Sequence, residues 1–395
     1  MTYQHTLQYL DQSAPSPDLS LSADALLAHA GRIERRTVFL FVSHDKQGRA
    51  TARYLRRIFK QAGVGCLHVC REEDVAPRER YVLDDAPIPP TLLCAAAAPI
   101  HAMEASLRRS HPSYKSGQTA IYFDTSLRRA AVLLGCPEKD ELRVLILEGE
   151  QAARDERAFS RLLSRPIRIT PVSACDEQQR FALSTLAAKA DVLTHALGGE
   201  AYRRLSDACA RHELRLTVLP HSHFDRADVT PGGQTLRYDT LSDVRITPGT
   251  SLAARAAVLA VAVARRTAEA LGVPLSDECV RRGLSETHVC ALCELVSIAP
   301  SVLLDRVDTP AEAALAFADL SESAAALPRP RYLLLDDALA AEAGRLPREL
   351  FDDALSLEQL DALPDPEAAF VLVGSQDFLL KARALVSERA KNAKK

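Results

Sequence analysis

The residues able to do chemistry fall in a few short clusters. Arg49, Thr51 and Arg53 follow the apolar run Thr37–Ser43, with Lys46 just before them. Guanidinium groups at the start of a helix can attract an anion, because the first turn carries unpaired N–H groups and partial positive charge. Arg49, Arg53 and Arg56 recur at i, i+4, i+7 and so share one helical stripe; Arg35, Arg36, Arg57 and Lys60 lie close by. A solvated helix face has the same pattern. Glu148 ends another apolar run, where a strand-end carboxylate can ligate a metal or simply meet solvent. Cys66-x-His68-x-Cys70 alternates, so its three side chains share one face of a strand. That face can present ligands or be core, since thiols pack as small hydrophobes.

Two further clusters lie toward the C-terminus. Cys290-x-x-Cys293 has His288 and Cys279 nearby. It reads as part of a metal site, as a redox pair or as two ordinary thiols; a strong zinc signal would need a second paired knuckle. His221-Ser222-His223-Phe224-Asp225 could bind a metal or move a proton, or form a plain polar loop. The chain contains no G-x-S-x-G, H-E-x-x-H, EF-hand loop, G-x-G-x-x-G or G-x-x-x-x-G-K-[ST].

These clusters need elements to position them. Thr37–Ser43 is a buried strand, Gly48–Ala62 a helix with Leu55, Ile58, Phe59 and Ala62 on one face, and Cys66–Cys70 the next strand. Such a βαβ unit implies a parallel sheet. Arg143–Leu147, Asp191–Thr194 and Leu214–Leu219 are further strands; Glu177–Ala190 and Glu200–His212 are helices. Ser251–Leu271 is apolar nearly all round at its centre and is therefore a buried helix. Arg71–Gly117 reads as irregular with one helix. A second α/β block has strands at Ser301–Leu304, Arg331–Leu335 and Ala369–Val373, and helices at Pro310–Leu320 and Asp377–Lys391. The polar stretch Ser285–His288 marks the boundary, giving domains 1–288 and 289–395.

Composition narrows the class. The chain has 395 residues, is 47% hydrophobic and carries net charge −3, as a globular protein with a sizeable core does. That balance argues against a nucleic-acid binder. No apolar segment reads as a membrane span; the uncharged stretch Ala86–Met103 is broken by four prolines, which make it a poor spanning helix. The N-terminus lacks signal-peptide character. Nine scattered cysteines fit reduced thiols and a cytoplasmic location. Glycine is scarce: 16, where average usage of about 7% would give roughly 28. Lysine is scarcer, at nine of the 49 basic residues, with none between Lys189 and Lys381.

Taken in order, six segments resemble folylpolyglutamate synthase and its Mur ligase relatives. Phe39–Leu55 resembles the family's strand, phosphate loop and helix. Ile121–Asp124 with Ser126–Leu134 resembles the segment after its Phe-Glu pair. Leu145–Glu148 resembles the strand ending in a metal-binding Glu, and Ala190–Leu197 the strand leading to its Asp-His. Pro300–Leu315 looks like the segment containing LDGAHNP, and Phe370–Val386 like its closing strand-Gly-Ser-helix. The resemblance implies a P-loop-type parallel-sheet domain, a smaller C-terminal α/β domain, and a ligase that uses ATP and Mg²⁺ to make an acyl phosphate for attack by an amine. It implies that Arg49, Thr51 and Arg53 line the phosphate-loop region, that Asp305 belongs to the nucleotide site, and that Glu148 holds metal.

The family's chemistry is not kept. Gly48 stands at the catalytic lysine, Gln47 and Arg49 at flanking glycines, and Ala50 at the Mg-binding Ser. Gly199-Glu200 replaces the Asp-His, and Asp308-Thr309 the His-Asn; only Asp305 and Pro310 remain of that motif. Leu292 stands at an expected Arg, although Glu294 agrees. The family's carbamylated lysine has no counterpart, because its interval contains no lysine. Two functions therefore compete: a degenerate relative with a binding or regulatory role, and a divergent ligase adding glutamate to a folate. An anionic small molecule or a protein is the expected partner, with neither nucleic acid nor membrane. A metal or thiol protein built on Cys290/Cys293 or His221/His223 is a third reading.

Overall fold

The computed structural model describes residues 1–11, 33–43, 45–70, 80–110, 125–137, 142–149, 152–172, 190–195, 199–219, 224–289, 293–298, 300–307, 310–346, 348–362 and 368–392. The chain divides into two compact units. The first comprises Met1–His44, Leu55–Pro220 and Leu259–Gly283; the second comprises Asp45–Tyr54, His221–Val258 and Leu284–Lys395.

The first unit is built on an eight-stranded sheet. Its strands are β1 (Ile33–Val42), β2 (Gly65–Val69), β3 (Tyr81–Leu83), β4 (Ala86–Pro87), β5 (Leu142–Glu148), β6 (Leu163–Val172), β7 (Asp191–His195) and β8 (Arg215–Leu219), in the order β4-β3-β2-β5-β1-β6-β7-β8. All neighbours from β2 to β8 pair in parallel, while β3 and β4 run antiparallel. Central parallel strands are covered on both faces and so read as continuous apolar runs. Val38–Val42 and Val144–Leu147 are fully buried accordingly.

Helix α1 (Tyr3–Asp11) opens the chain. Helix α2 (Lys46–Gln61) buries Leu55, Ile58 and Phe59, the apolar face its spacing predicts. It ends at Gly63, whose left-handed φ lets the Val64 N–H reach the Phe59 carbonyl at 2.9 Å. The stretch expected to be irregular with one helix has that helix, preceded by a hairpin; its positions 71–79 and 111–117 lie outside the described residues. Asp84 and Asp85 both take positive φ between β3 and β4, the requirement of a two-residue type I′ turn. Helix α3 (Pro90–Ser110) follows and runs through Pro99. That proline fails to break the helix, although it removes one backbone donor. Then come α4 (Thr125–Leu134), α5 (Ala152–Leu162) and α6 (Gly199–Arg211). The predicted helix Glu177–Ala190 lies outside the described residues except for its last position.

In α7 (Ser251–Leu271) the predicted all-round burial holds: Ala256–Val261 are at most 1% exposed. Helix α8 (Asp277–Ser285) follows it. Gly283 sits so close to Ile58 that an added Cβ would lie 2.6 Å from its Cα.

The second unit holds two sheets. An antiparallel meander, β9 (Phe224–Thr230), β10 (Gly233–Tyr238) and β11 (Leu241–Ile246), has order β11-β10-β9. The other sheet contains β12 (Glu294–Ile298), β13 (Ser301–Arg306), β14 (Arg331–Leu335), β15 (Asp353–Leu355) and β16 (Ala369–Gly374), in the order β12-β13-β16-β14-β15. It is parallel except for β12. Apolar clusters around Phe317 and Phe370 form its core, with α9 (Pro310–Ala325) and α10 (Gln376–Asn392) contributing. The architecture is α/β, with a large parallel-rich sheet and a smaller C-terminal sheet. No described helix is long and apolar enough to cross a membrane.

Candidate functional site

The turn after β1 leads into α2, a position where a helix N-terminus offers N–H groups to an anion. Here the chain supplies its own anion. Asp45 is the N-cap, and its carboxylate accepts the Gly48 N–H at 2.7 Å. Thr51 is fully buried and donates its hydroxyl to the Gln47 carbonyl, 2.7 Å away in the preceding turn. Arg49 and Arg53 are half-buried on the same helix.

Lys46, on the first turn of α2, is 6% exposed. Its Nζ lies 2.6 Å from Oδ1 of Asp305, which is wholly buried on β13. The same Oδ1 accepts the Cys293 N–H at 3.2 Å. An ammonium and a carboxylate are each costly to bury alone, so each requires the other. Sequence reading placed Asp305 at a ligand site and left Lys46 two positions from the expected lysine. The structure joins these two residues to one another.

The arginine stripe is divided. Arg57 lies 2.9 Å and Arg56 3.5 Å from the Asp85 carboxylate, so the hairpin turn takes up both. The neighbouring Asp84 accepts the Cys66 N–H.

Glu148 ends β5 and is 7% exposed. Its strand pairs in parallel with β2, with His68 opposite Ile146 and Val69 opposite Leu147. Side chains at Ile146 and Glu148 therefore share a face with His68 and Cys70. His68 Nε2 lies 3.3 Å from Glu148 Oε2, and Cys70 Sγ lies 3.5 Å from His68 Nδ1 and 3.8 Å from Nε2. The alternation at 66–70 was visible in the sequence; its meeting with Glu148 was not, since the two strands are far apart in the chain.

The other sequence candidates separate. Cys66 is buried, and burial pushes its thiol up. Cys293 is also wholly buried, and burial first, then the nearby Asp305, raises it well above the ordinary thiol range. A thiol held protonated is a poor redox nucleophile, which counts against the redox reading of this pair. Cys290 lies outside the described residues, as do His221, His223, Asp308 and Thr309. His288 is exposed and pairs with Glu294 at 2.8 Å.

A buried acid in the second unit had no sequence signal. Asp319, on α9, accepts the Leu252 N–H at 3.0 Å near the start of α7. Burial raises its carboxyl to about 6; the Leu252 hydrogen bond opposes this shift, and Asp305 and Glu322 add to it.

No family model matches the chain, and no curated protein matches it. Solved structures do. The apo form of L. casei FPGS is similar at TM-score 0.75 and 17% identity, over 98% of this chain and 100% of that one. An FPGS-AMPPCP-folate complex is similar at TM-score 0.74 and 18% identity, over 98% and 100%. Mycobacterium tuberculosis folylpolyglutamate synthase complexed with ADP is similar at TM-score 0.66 and 17% identity, over 96% of each chain. The chain has the two-domain Mur ligase-like fold of the folylpolyglutamate synthases.

Proposed function

We propose that this chain is a catalytically degenerate relative of folylpolyglutamate synthase that acts by binding rather than by the ligase reaction. One observation carries the reading: Lys46 is committed to the buried Asp305 carboxylate. A phosphate loop needs glycines whose N–H groups wrap the phosphates, a lysine on the β/γ-phosphates and a hydroxyl on Mg²⁺. Here the helix N-terminus is capped by Asp45, and the Thr51 hydroxyl is held by a backbone carbonyl. These residues do not fit a triphosphate with its Mg²⁺, and we derive no catalytic step through one. The lysine-free interval from 190 to 380 supports the same reading.

The binding role we propose is for an anionic small molecule or a protein partner, in the cytoplasm, without nucleic acid or membrane. A divergent ligase adding glutamate to a folate is the second reading; whole-chain similarity to an FPGS-AMPPCP-folate complex favours it. Assay of ADP release with Mg-ATP, a folate and glutamate tests the choice. We expect no substrate-dependent release, and such release would overturn the pseudoenzyme reading.

A further inference from the structure

We propose that His68, Cys70 and Glu148 form a binding site for a zinc-class divalent cation. The three ligand atoms lie within 4.8 Å of one another. Ligands at about 2.0–2.3 Å from a tetrahedral ion must sit roughly 3.3–3.8 Å apart. His68 Nε2 is 3.3 Å from Glu148 Oε2 and 3.8 Å from Cys70 Sγ. The first is the spacing of two ligands on one ion; Cys70 Sγ lies nearer Nδ1, at 3.5 Å, and joins that ion on turning its side chain toward Nε2.

The placement is also favourable. All three residues sit at the C-terminal ends of adjacent parallel strands, where α/β sheets bind ligands. The backbone register fixes their common face, so the cluster is set by the sheet and not by a loose loop. His68 and Glu148 are buried and Cys70 is half-buried, which gives an ion an approach on the thiol side.

The donor set selects the metal. Mg²⁺ is a hard ion that takes oxygen ligands and keeps several waters. A thiolate and an imidazole beside one carboxylate suit zinc far better. Three protein ligands match the number used by zinc sites that keep a fourth position for water or a ligand. Binding would displace the thiol proton of Cys70, since thiolate is the ligating form. This inference is independent of the ATP question, and the two measurements can fail separately.

The test uses the full chain, stripped with a chelator and titrated with Zn²⁺ against a chromophoric competitor. We expect one tight equivalent that excess Mg²⁺ does not displace. Loss of an outer partner of a metal ligand costs about 10–100-fold in affinity, so loss of a ligand itself should cost at least about 100-fold. Cys70→Ser and Glu148→Gln should both show that loss while melting as cooperatively as the parent. Co²⁺ should give a thiolate charge-transfer band that Cys70→Ser abolishes. Absence of a stoichiometric equivalent would overturn the site. So would unchanged affinity in Cys70→Ser, which would place zinc on other residues. If the variant melts non-cooperatively, the Co²⁺ spectrum of the parent decides: a tetrahedral spectrum with a thiolate band supports the site, and a spectrum without one overturns it.

Discussion

The Lys46 ammonium sits 2.6 Å from the Asp305 carboxylate, 259 residues away along the chain, with both groups buried. At the start of helix α2, this chain pairs its lysine with a carboxylate of its own. Removing either partner leaves the other's charge buried without its counter-ion. Lys46→Ala should therefore destabilise the protein by about 3–5 kcal/mol. Lys46→Met combined with Asp305→Val should recover most of that loss, because apolar replacement of a buried pair is often neutral. Urea midpoints of the two singles and the double, read as a cycle, check this.

A second buried network holds the N-terminal helix. Arg128 is wholly buried; it donates to the Tyr9 carbonyl at 2.7 Å and to Glu104 at 3.0 Å, and stacks over the Tyr9 ring at 4.4 Å. The Tyr9 hydroxyl donates to Glu104 at 2.6 Å. Glu104→Ala should cost about 3–5 kcal/mol, since it leaves a buried guanidinium without its carboxylate. Tyr9→Phe removes one hydrogen bond to a charged group and should cost about 1.5–3 kcal/mol. Thermal or urea unfolding measures both.

Asp319 makes stability pH-dependent. Burial raises its folded carboxyl to about 6 from the ordinary 3.8. Between those values the folded state binds the proton more tightly than the unfolded state does, so stability falls as pH rises. The contribution is fully present below the unfolded value and is lost through the folded one, with an upper bound of about 3 kcal/mol. Asp319→Asn keeps an acceptor for the Leu252 N–H. Its unfolding midpoint should fall less than the parent's between about pH 4 and about pH 7. Parallel profiles of equal slope would contradict this.

What the sequence revealed follows from how far each signal reaches. Strand β1 and helices α2 and α7 were legible because apolar periodicity is local, and α7 matches its expected bounds residue for residue. Strand β6 was missed because Pro166 and Pro171 interrupt it, and prolines argue against an interior strand. The meander β9–β11 was missed because its strands are largely polar and half-exposed. Sequence reading found Glu148, His68 and Cys70 as separate candidates, and found Asp305 without Lys46. Side-chain encounters across strands or between distant segments leave no periodic trace, so those pairings became visible only in the fold.

We propose that, with Lys46 paired to Asp305, the start of helix α2 holds no nucleotide phosphate. Isothermal titration of the intact wild-type protein with Mg-ATP tests it most directly. We predict no binding tighter than about 1 mM, a free energy of about −4.1 kcal/mol. Saturable micromolar binding of Mg-ATP would contradict the account.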